Sequence, residues 1–443
     1  MKDSIRSEEP AGLRLLRCTL IPAALILLSP PATLFIWYAN AHFHGSILAA
    51  ASEFRQFGII GTVGRMWGPV FFGSPTAWLM IAGYAVLELA LMKMLPARMV
   101  KGSLTPGGDT PAYKANGVPA FAITLMLYVF GSFGLKLFPP SIIYDHFGEL
   151  LGALNLAGLT LCLLLYLKGR FYPSGADYGH TGNVIFDYFW GTELHPQILG
   201  WDVKMFTNCR FALMGWPLIV ISFAAAQYER HGYISDSMWI AVALQVIYVA
   251  KFFWWEPGYM QTLDITHDRA GFYICWGCLA WLPSVYTGST LYLVDHTNSL
   301  GRPLALLIFV SGTICIMVNY LADAQRRRVR DTGGKTTVWG KPPVLLVGRY
   351  TTAQGTKNEN LLLASGWWGL ARHFHYVPEY LGAFFWTLPV LFDNALPYFY
   401  PAFLAILLTH RAFRDDTRCA AKYGADWDKY RKAVPYRIIP GVI

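Results

Sequence analysis

The side chains best suited to chemistry lie near the carboxyl end of the chain, where basic and acidic residues recur at helical spacing. Arg411, Asp415, Arg418 and Lys422 follow one another at i, i+4, i+7 and i+11, which puts all four on one face of a helix. Three cations around one carboxylate could hold a multiply charged anion such as a dinucleotide diphosphate. The same spacing fits a juxtamembrane helix whose charges meet lipid head groups, so both interpretations stay open.

A second pair of cations lies upstream. Arg326 and Arg330 are four residues apart, just beyond an apolar run that ends near residue 322. Two adjacent arginines suit the extra 2′-phosphate that distinguishes NADPH from NADH. The alternative is a cluster of positive charge that only keeps this segment on the cytoplasmic side of a membrane.

A third group lies between two apolar runs, in the segment 254–273. Tyr259, Asp264 and His267 occur there among aromatic residues, with Glu256 close by. Ionisable groups near membrane depth are costly to bury and tend to mark function, whereas an aqueous loop is the competing explanation. Because the acidic residues alternate with aromatic ones, we interpret the segment as functional.

Motifs for other chemistries are missing from the sequence. No G-x-G-x-x-G motif follows a strand, and the closest histidine pairs, His42/His44 and His373/His375, point to different faces of a helix. We therefore expect neither a Rossmann fold nor a metal site. Cys275 and Cys278 have C-x-x-C spacing, but they lie in an apolar run where a redox role is not expected.

Composition decides the class of protein. Of the 443 residues, 54% are hydrophobic and only 14% are charged, which is too few ionised side chains to cover a water-soluble surface of this size. The net charge of +9 is spread between apolar runs rather than gathered in a patch or tail, so nucleic-acid binding is not expected.

The elements that position these residues are membrane-spanning helices. Apolar runs of suitable length occur near 18–39, 76–95, 118–138, 149–167, 212–228, 236–254, 270–294 and 303–322, with shorter candidates at 380–394 and 397–410. The sequence thus predicts an all-α, polytopic transmembrane bundle. Clusters of Lys and Arg at 326–357 and beyond residue 410 are expected to face the cytoplasm.

Three ordered strings then resemble the signatures of the sterol reductase family, which includes Δ14-, Δ24(28)- and Δ7-sterol reductases and the lamin B receptor. They are GNVIFD and GTELHP within 182–196, LLASGWWGLARH at 362–373, and KYG and VPYRIIPG within 422–441. The strings GFYICWGC at 271–278 and RHFHYVPE at 372–379 look most similar to the plant type of Δ7-reductase. At His375, Pro378 and Glu379 the chain departs from the family's usual Asn, Gly and Asp.

The resemblance implies a bundle of about ten helices that takes NADPH from the cytosol and a sterol from the bilayer. It implies a single membrane domain, in which 1–322 form a sterol-facing bundle and 323–443 an NADPH-binding part. The host membrane would be the endoplasmic reticulum in a eukaryote and the cytoplasmic membrane in a bacterium. By position, the implied cofactor contacts are Arg326, Arg330, Trp368, Arg372, Tyr376, Arg411, Asp415, Lys422 and Tyr430.

The implied reaction is NADPH-dependent reduction of the carbon 7–carbon 8 double bond of 7-dehydrocholesterol or a related 5,7-diene sterol. Such an alkene needs a proton before it can accept hydride, so the enzyme must supply a positioned acid in a dry pocket. Tyr259, Asp264 and His267 are the candidates for this acid.

Three alternatives remain at this point. Within the family, a Δ14-sterol reductase is the closest rival. Membrane methyltransferases of the isoprenylcysteine type share a related carboxyl-terminal pattern but use S-adenosylmethionine and lack the 182–196 signature. A non-catalytic sterol-binding membrane protein is the third, by analogy with the lamin B receptor.

Overall fold

Long helices dominate the computed structural model, which describes residues 10–105, 107–351 and 355–443. Within these ranges seven helices are long and apolar enough to cross a membrane: Ala11–Phe43, Pro75–Met94, Gly117–Gly134, Phe147–Phe171, Val203–His231, Asp236–Trp254 and Arg302–Asp331. The predicted polytopic helical membrane fold is confirmed. The other helical segments are Ile47–Trp67, Gly68–Val70, Ile142–Asp145, Val184–Trp190, Glu256–Tyr259, Leu263–Thr266, Phe272–Tyr286, Gly288–Leu293, Trp367–Leu370, Tyr376–Thr387, Leu388–Val390, Leu396–Tyr398, Phe399–Tyr423 and Ala425–Ala433.

Three of the predicted runs differ in form from simple spans. The run at 270–294 becomes a wide π-helix, Phe272–Tyr286, followed by a short α-helix. Pro283 lies inside it and lacks the N–H that a regular turn would use, which favours local widening. In the run at 380–394, the α-helix ends at Thr387, shortly before Pro389, and a short 3₁₀ turn follows. The run at 397–410 instead continues to Tyr423.

By its internal contacts the chain forms two compact units. One comprises the chain as far as Ser299 together with Val390–Pro397, and the other comprises Leu300–Pro389 and Tyr398–Ile443. The predicted functional division near residue 322 concerns sterol and NADPH binding, so it stays a prediction.

Polar side chains start several helices of the first unit. Ser74 and Ser235 each accept a hydrogen bond from a backbone N–H three residues later, and Asn183 accepts from the N–H groups two and three residues later. Asp202 accepts the N–H of Met205 at 2.9 Å. These caps satisfy backbone donors that the first turn leaves unpaired, and so fix where each helix begins.

Close packing and a few polar bonds hold the apolar helices of the first unit together. Phe147–Phe171 packs on Phe272–Tyr286 at Gly158, where a Cβ atom would lie 3.0 Å from the Trp276 ring. Asn155 accepts the Trp276 indole N–H at 3.1 Å and donates to Thr33 at 3.0 Å. Small residues and interhelical hydrogen bonds are the usual means of joining helices in lipid.

Three antiparallel hairpins connect helices in the part of the chain that the structure describes. They pair Met99–Lys101 with Ala112–Lys114, Gln197–Ile198 with Trp201–Asp202, and Leu345–Thr351 with Lys357–Leu363. The third belongs to the second unit and sets Gly348 opposite Asn360. Its Leu362 packs with Trp427 and Tyr430 of the Ala425–Ala433 helix, so the hairpin forms part of the core beside the carboxyl-terminal segment.

Candidate functional site

Asp416 is the centre of an ion-pair network in the second unit. It lies in the Phe399–Tyr423 helix, is 3% exposed, and accepts the Trp427 indole N–H at 3.1 Å. Arg431 and Arg437 donate to its Oδ2 at 2.8 and 3.1 Å, and Arg372 Nε lies 3.4 Å from Oδ1. Burial alone would raise the pKa of Asp416, but its hydrogen bond from Arg431 and the field of Arg372 hold the pKa below its ordinary value.

Two predicted cofactor residues have their polar groups bound within the chain. The Arg372 Nη1 donates to the carbonyl oxygens of Val434 and Pro435 at 2.7 and 2.9 Å. The Tyr430 hydroxyl is buried and donates to the Leu363 carbonyl at 2.9 Å. Both side chains tie the carboxyl-terminal segment to the hairpin and helix beside it. Their direct contact with a cofactor stays a prediction.

Asp415, the neighbour of Asp416, has a different environment. Arg418 donates to its Oδ1 through Nε at 3.1 Å and Nη2 at 2.7 Å, and His373 Nε2 lies 3.8 Å from its Oδ2. Burial raises the pKa of Asp415, but Arg418 and His373 outweigh it and leave the pKa lowered. Burial lowers the pKa of His373 to about 4, so its imidazole is neutral near pH 7.

Four cations gather beside Asp415, and we call Arg326, Arg330, Arg418 and Lys422 the cation group. The Arg326 guanidinium lies 3.8 Å over the Trp368 ring, whose indole N–H donates to the Ala322 carbonyl at 2.7 Å. Burial, and then the fields of Arg418 and Arg330, lower the pKa of Lys422.

The positive charge of this group is only partly compensated. Asp415 pairs with Arg418, and Asp323 lies 3.4 Å from Arg326. Among the described residues, neither Arg330 nor Lys422 forms an ion pair. Like charges repel one another unless an anion joins them, so this arrangement fits a group that carries several negative charges. The residues present therefore fit a phosphate-bearing dinucleotide.

The two remaining predicted contacts lie beside His373 and on the helix that contains Asp415. Tyr376 stacks on the His373 ring, with centroids 5.3 Å apart and planes 11° apart. Arg411 lies one turn before Asp415 on the Phe399–Tyr423 helix. That helix continues unbroken through the predicted charged face and ends at Gly424, whose φ is +53°.

The candidates for the proton donor lie in the first unit. The Tyr259 hydroxyl accepts a hydrogen bond from Asn208, and its ring packs on Phe252 with centroids 4.7 Å apart. Asp264 lies in the short helix Leu263–Thr266. His267 contacts Asp268 through Nδ1 at 3.1 Å, and its side chain is 40% exposed.

Glu256, the acid next to these candidates, is held in a buried ion pair. Its carboxylate lies 2.6 Å from Arg210 Nη1 and accepts the backbone N–H of Gly117 at 2.8 Å. Arg210 also donates to Asn116 at 2.8 Å. Glu256 thus joins the start of one helix to another, and a carboxylate engaged in this way is a poor proton donor.

Sequence reasoning missed two residues that shape the site and one that lies beside the proton-donor candidates. Asp416 and His373 were not among the predicted site residues, and neither was Lys204 in the first unit. The partners of Asp416 are Arg372, Arg431 and Arg437, and no local spacing in the sequence predicts these pairs. The sequence signal that could have revealed Asp416 is its position next to Asp415. Adjacent residues on a helix point in different directions, so two neighbouring acids are expected to have different partners. Within the described ranges, no three His, Cys, Asp or Glu side chains cluster as metal ligands would.

Comparison with known proteins gives one consistent result. Residues 22–443 match the model of the Ergosterol biosynthesis ERG4/ERG24 family. The chain is 48% identical over 420 residues to a 7-dehydrocholesterol reductase of Arabidopsis thaliana, covering 95% of this chain and 96% of that one. It is 38% identical over 364 residues to the 7-dehydrocholesterol reductase of Xenopus laevis, covering 81% and 77% of the two chains.

A bacterial relative is also similar along its length. The Delta(14)-sterol reductase of Methylotuvimicrobium alcaliphilum is 34% identical over 424 residues, covering 94% of this chain and 93% of the relative. The resemblance drawn from the signature strings is thereby confirmed. This chain belongs to the ERG4/ERG24 family of sterol reductases.

Proposed function

We propose that this chain reduces the carbon 7–carbon 8 double bond of 7-dehydrocholesterol or a related 5,7-diene sterol, with NADPH as the reductant. The choice of substrate is supported by the 48% identity, over nearly the whole chain, to a relative named for that reaction. The observation that supports the cofactor is the cation group, in which Arg330 and Lys422 have no ion pair among the described residues.

In this proposal the cation group binds the phosphates of NADPH, which supplies the hydride when bound. Lys422 and Arg330 would meet the diphosphate, and Arg326 would meet the 2′-phosphate from its place on Trp368. Asp415 keeps the Arg418 guanidinium oriented toward the same anion. Arg372 and Tyr430 act on this site by holding the carboxyl-terminal segment that frames it.

The chemistry of the diene dictates what the chain must add. A proton placed on carbon 8 leaves a cation at carbon 7 that is allylic to the remaining double bond, and hydride at carbon 7 completes the reduction. The acid that protonates carbon 8 has to lie in a water-poor pocket, since water would quench the cation. Tyr259, Asp264 and His267 are the candidates for this acid.

The decisive experiment follows the two hydrogen atoms separately. The full chain is purified in detergent and incubated with 7-dehydrocholesterol and NADPH that carries deuterium at carbon 4 of the nicotinamide. We expect a sterol with one deuterium at carbon 7, and, in D₂O with unlabelled NADPH, one at carbon 8. An unchanged sterol, or label at other carbons, would refute the proposal.

The similarity to a Delta(14)-sterol reductase makes that activity the second candidate. A parallel incubation with a Δ14 sterol compares kcat/KM for the two substrates. If the Δ14 sterol is reduced with the higher kcat/KM, the chain is a Δ14-sterol reductase and the proposed substrate is wrong. Thermal stabilisation by S-adenosylmethionine instead of NADPH would point to a methyltransferase.

A further inference from the structure

Lys204 is the most deeply buried of the described lysines in the first unit. It is 0% exposed, and Nζ donates to the carbonyl oxygens of Ile265 and Asp268 at 2.8 and 2.7 Å. Removing an ammonium from water is costly unless strong partners replace the water. Two carbonyl oxygens supply hydrogen bonds without charge, so the position demands further compensation.

Nearby carboxylates supply part of that compensation. Asp202, Asp264 and Asp268 all lie within electrostatic reach of the Lys204 ammonium. Asp268 is itself 0% exposed. Burial disfavours a charged carboxylate, and a nearby cation favours it. A buried Lys–Asp arrangement of this kind fixes local geometry because each charge needs the other in place.

The carbonyl partners of Lys204 belong to residues 262–268, which include the short helix Leu263–Thr266 and two of the proton-donor candidates, and which we call the 262–268 loop. Asp264 directly precedes Ile265, and His267 directly precedes Asp268, whose carboxylate contacts His267 Nδ1 at 3.1 Å. Lys204 therefore acts on this segment in two ways. It binds the backbone directly, and its charge favours the ionised Asp268 that orients the imidazole.

We propose that Lys204 is a positioning residue for the protonation step, holding the 262–268 loop so that Asp264 and His267 keep a fixed geometry. The inference rests on the proposed sterol reduction. It goes beyond that proposal by naming the residue that holds the candidate proton donors in position. Lys204 itself does not give up a proton in this scheme. It acts through the hydrogen bonds that its Nζ donates to two backbone carbonyl oxygens.

The test compares Lys204→Met with Lys168→Met as a matched control. Lys168 also binds a backbone carbonyl, that of Tyr172 at 3.2 Å, and a buried carboxylate, Glu193 at 2.8 Å, but it does not contact the 262–268 loop. Hydrogen–deuterium exchange of the detergent-purified full chain is measured first, without substrate. We expect amides of 262–268 to exchange at least about tenfold faster in Lys204→Met and at the wild-type rate in the control.

Kinetics supply the second readout. In Lys204→Met, kcat for the sterol should fall at least about tenfold while the Kd for NADPH stays within about twofold of wild type. The pH profile of kcat should also shift, because the acid has lost its fixed environment. The control should keep both the rate and the profile.

Two results would overturn the inference: wild-type exchange in the 262–268 loop, or wild-type kcat, in a folded Lys204→Met protein. If that variant does not fold, Lys204→Arg keeps the charge but misplaces its donors, and a normal kcat there would overturn the inference equally. A wild-type chain that leaves the sterol unchanged refutes the proposed function instead. The exchange experiment still decides whether Lys204 orders the loop.

Discussion

Adjacent acidic residues in one helix have separate roles at the residue scale. Asp415 orients Arg418 within the cation group, whereas Asp416 is satisfied by three arginines and an indole. The first carboxylate serves the proposed cofactor site and the second joins distant segments. Substitution should separate these two roles.

Asp415→Ala should lower NADPH-dependent turnover by at least about 100-fold, because Arg418 loses the carboxylate that orients it. Thermal unfolding in detergent should stay close to wild type. Asp416→Ala should instead destabilise the fold by roughly 3–5 kcal/mol, since it leaves the buried Arg372 guanidinium without its counter-charge. Undiminished turnover in Asp415→Ala would contradict the site.

Tyr259→Phe removes one hydroxyl from the first unit and tests the choice of acid. If the phenol donates the proton, kcat should fall at least about tenfold while NADPH affinity is unchanged. The control is Tyr233→Phe, which should keep the wild-type rate, because Tyr233 is exposed and lies outside the segment 254–273. A wild-type rate in Tyr259→Phe would leave Asp264 and His267 as the acids to test.

His373 makes a prediction about pH. Its pKa is about 4 in the folded chain against an ordinary value of 6.5, so the unfolded chain binds more protons between these two values. The stability contributed by the neutral imidazole is therefore complete above pH 6.5 and is lost as the pH falls toward 4. Thermal unfolding from pH 7 to pH 5 should show a smaller loss in His373→Asn than in wild type. Equal losses would show that another group controls this window.

At the scale of elements, the Leu345–Thr351/Lys357–Leu363 hairpin supports the cation group from one side. Tyr350 places its ring 3.8 Å from Lys422 Nζ, and the Tyr423 hydroxyl accepts the Asn360 amide at 2.8 Å. Gly348 leaves room for Tyr423, because a Cβ there would lie 2.9 Å from its ring. The hairpin thus fixes the aromatic surface on which Lys422 rests.

Gly348→Ala should weaken NADPH binding without altering any charge. The added methyl must displace the Tyr423 ring, and with it the position of Lys422, so we expect Kd to rise about 3- to 10-fold. Fluorescence titration with NADPH measures the change. Gly355→Ala, in the connection of the same hairpin, meets no atom of the described residues within 4 Å, although its φ of +82° adds local strain, and should leave Kd unchanged.

The sequence predicted these elements unequally, for a physical reason. The face containing Arg411, Asp415 and Lys422 follows from helical periodicity, and the helix Phe399–Tyr423 contains all three. The roles of Asp416 and Lys204 depend on partners dozens of residues away in the chain, which only packing brings together. A lysine beginning an apolar run looks like an interfacial anchor until its burial is known.

At the scale of the whole molecule, the distribution of basic residues predicts orientation. The segment after residue 326 and the carboxyl-terminal tail should both face the cytoplasm, where NADPH is available. Single cysteines at the exposed positions Lys335 and Lys432, in a chain whose other thiols are replaced, should react with a membrane-impermeant maleimide only from the cytoplasmic side. Labelling of the two positions from opposite sides would contradict the predicted topology.

The order in which the chain is made has a consequence for the first unit. Val390–Pro397 belongs to this unit, where Asn298 donates to the Val390 carbonyl at 2.7 Å and Asn394 to the Gly45 carbonyl at 2.9 Å. Residues 300–389 are synthesised before this segment, a stretch that takes roughly 5–18 s at ribosomal rates. Throughout that interval the first unit lacks one of its own pieces, so its final assembly is delayed until residue 397 has been made.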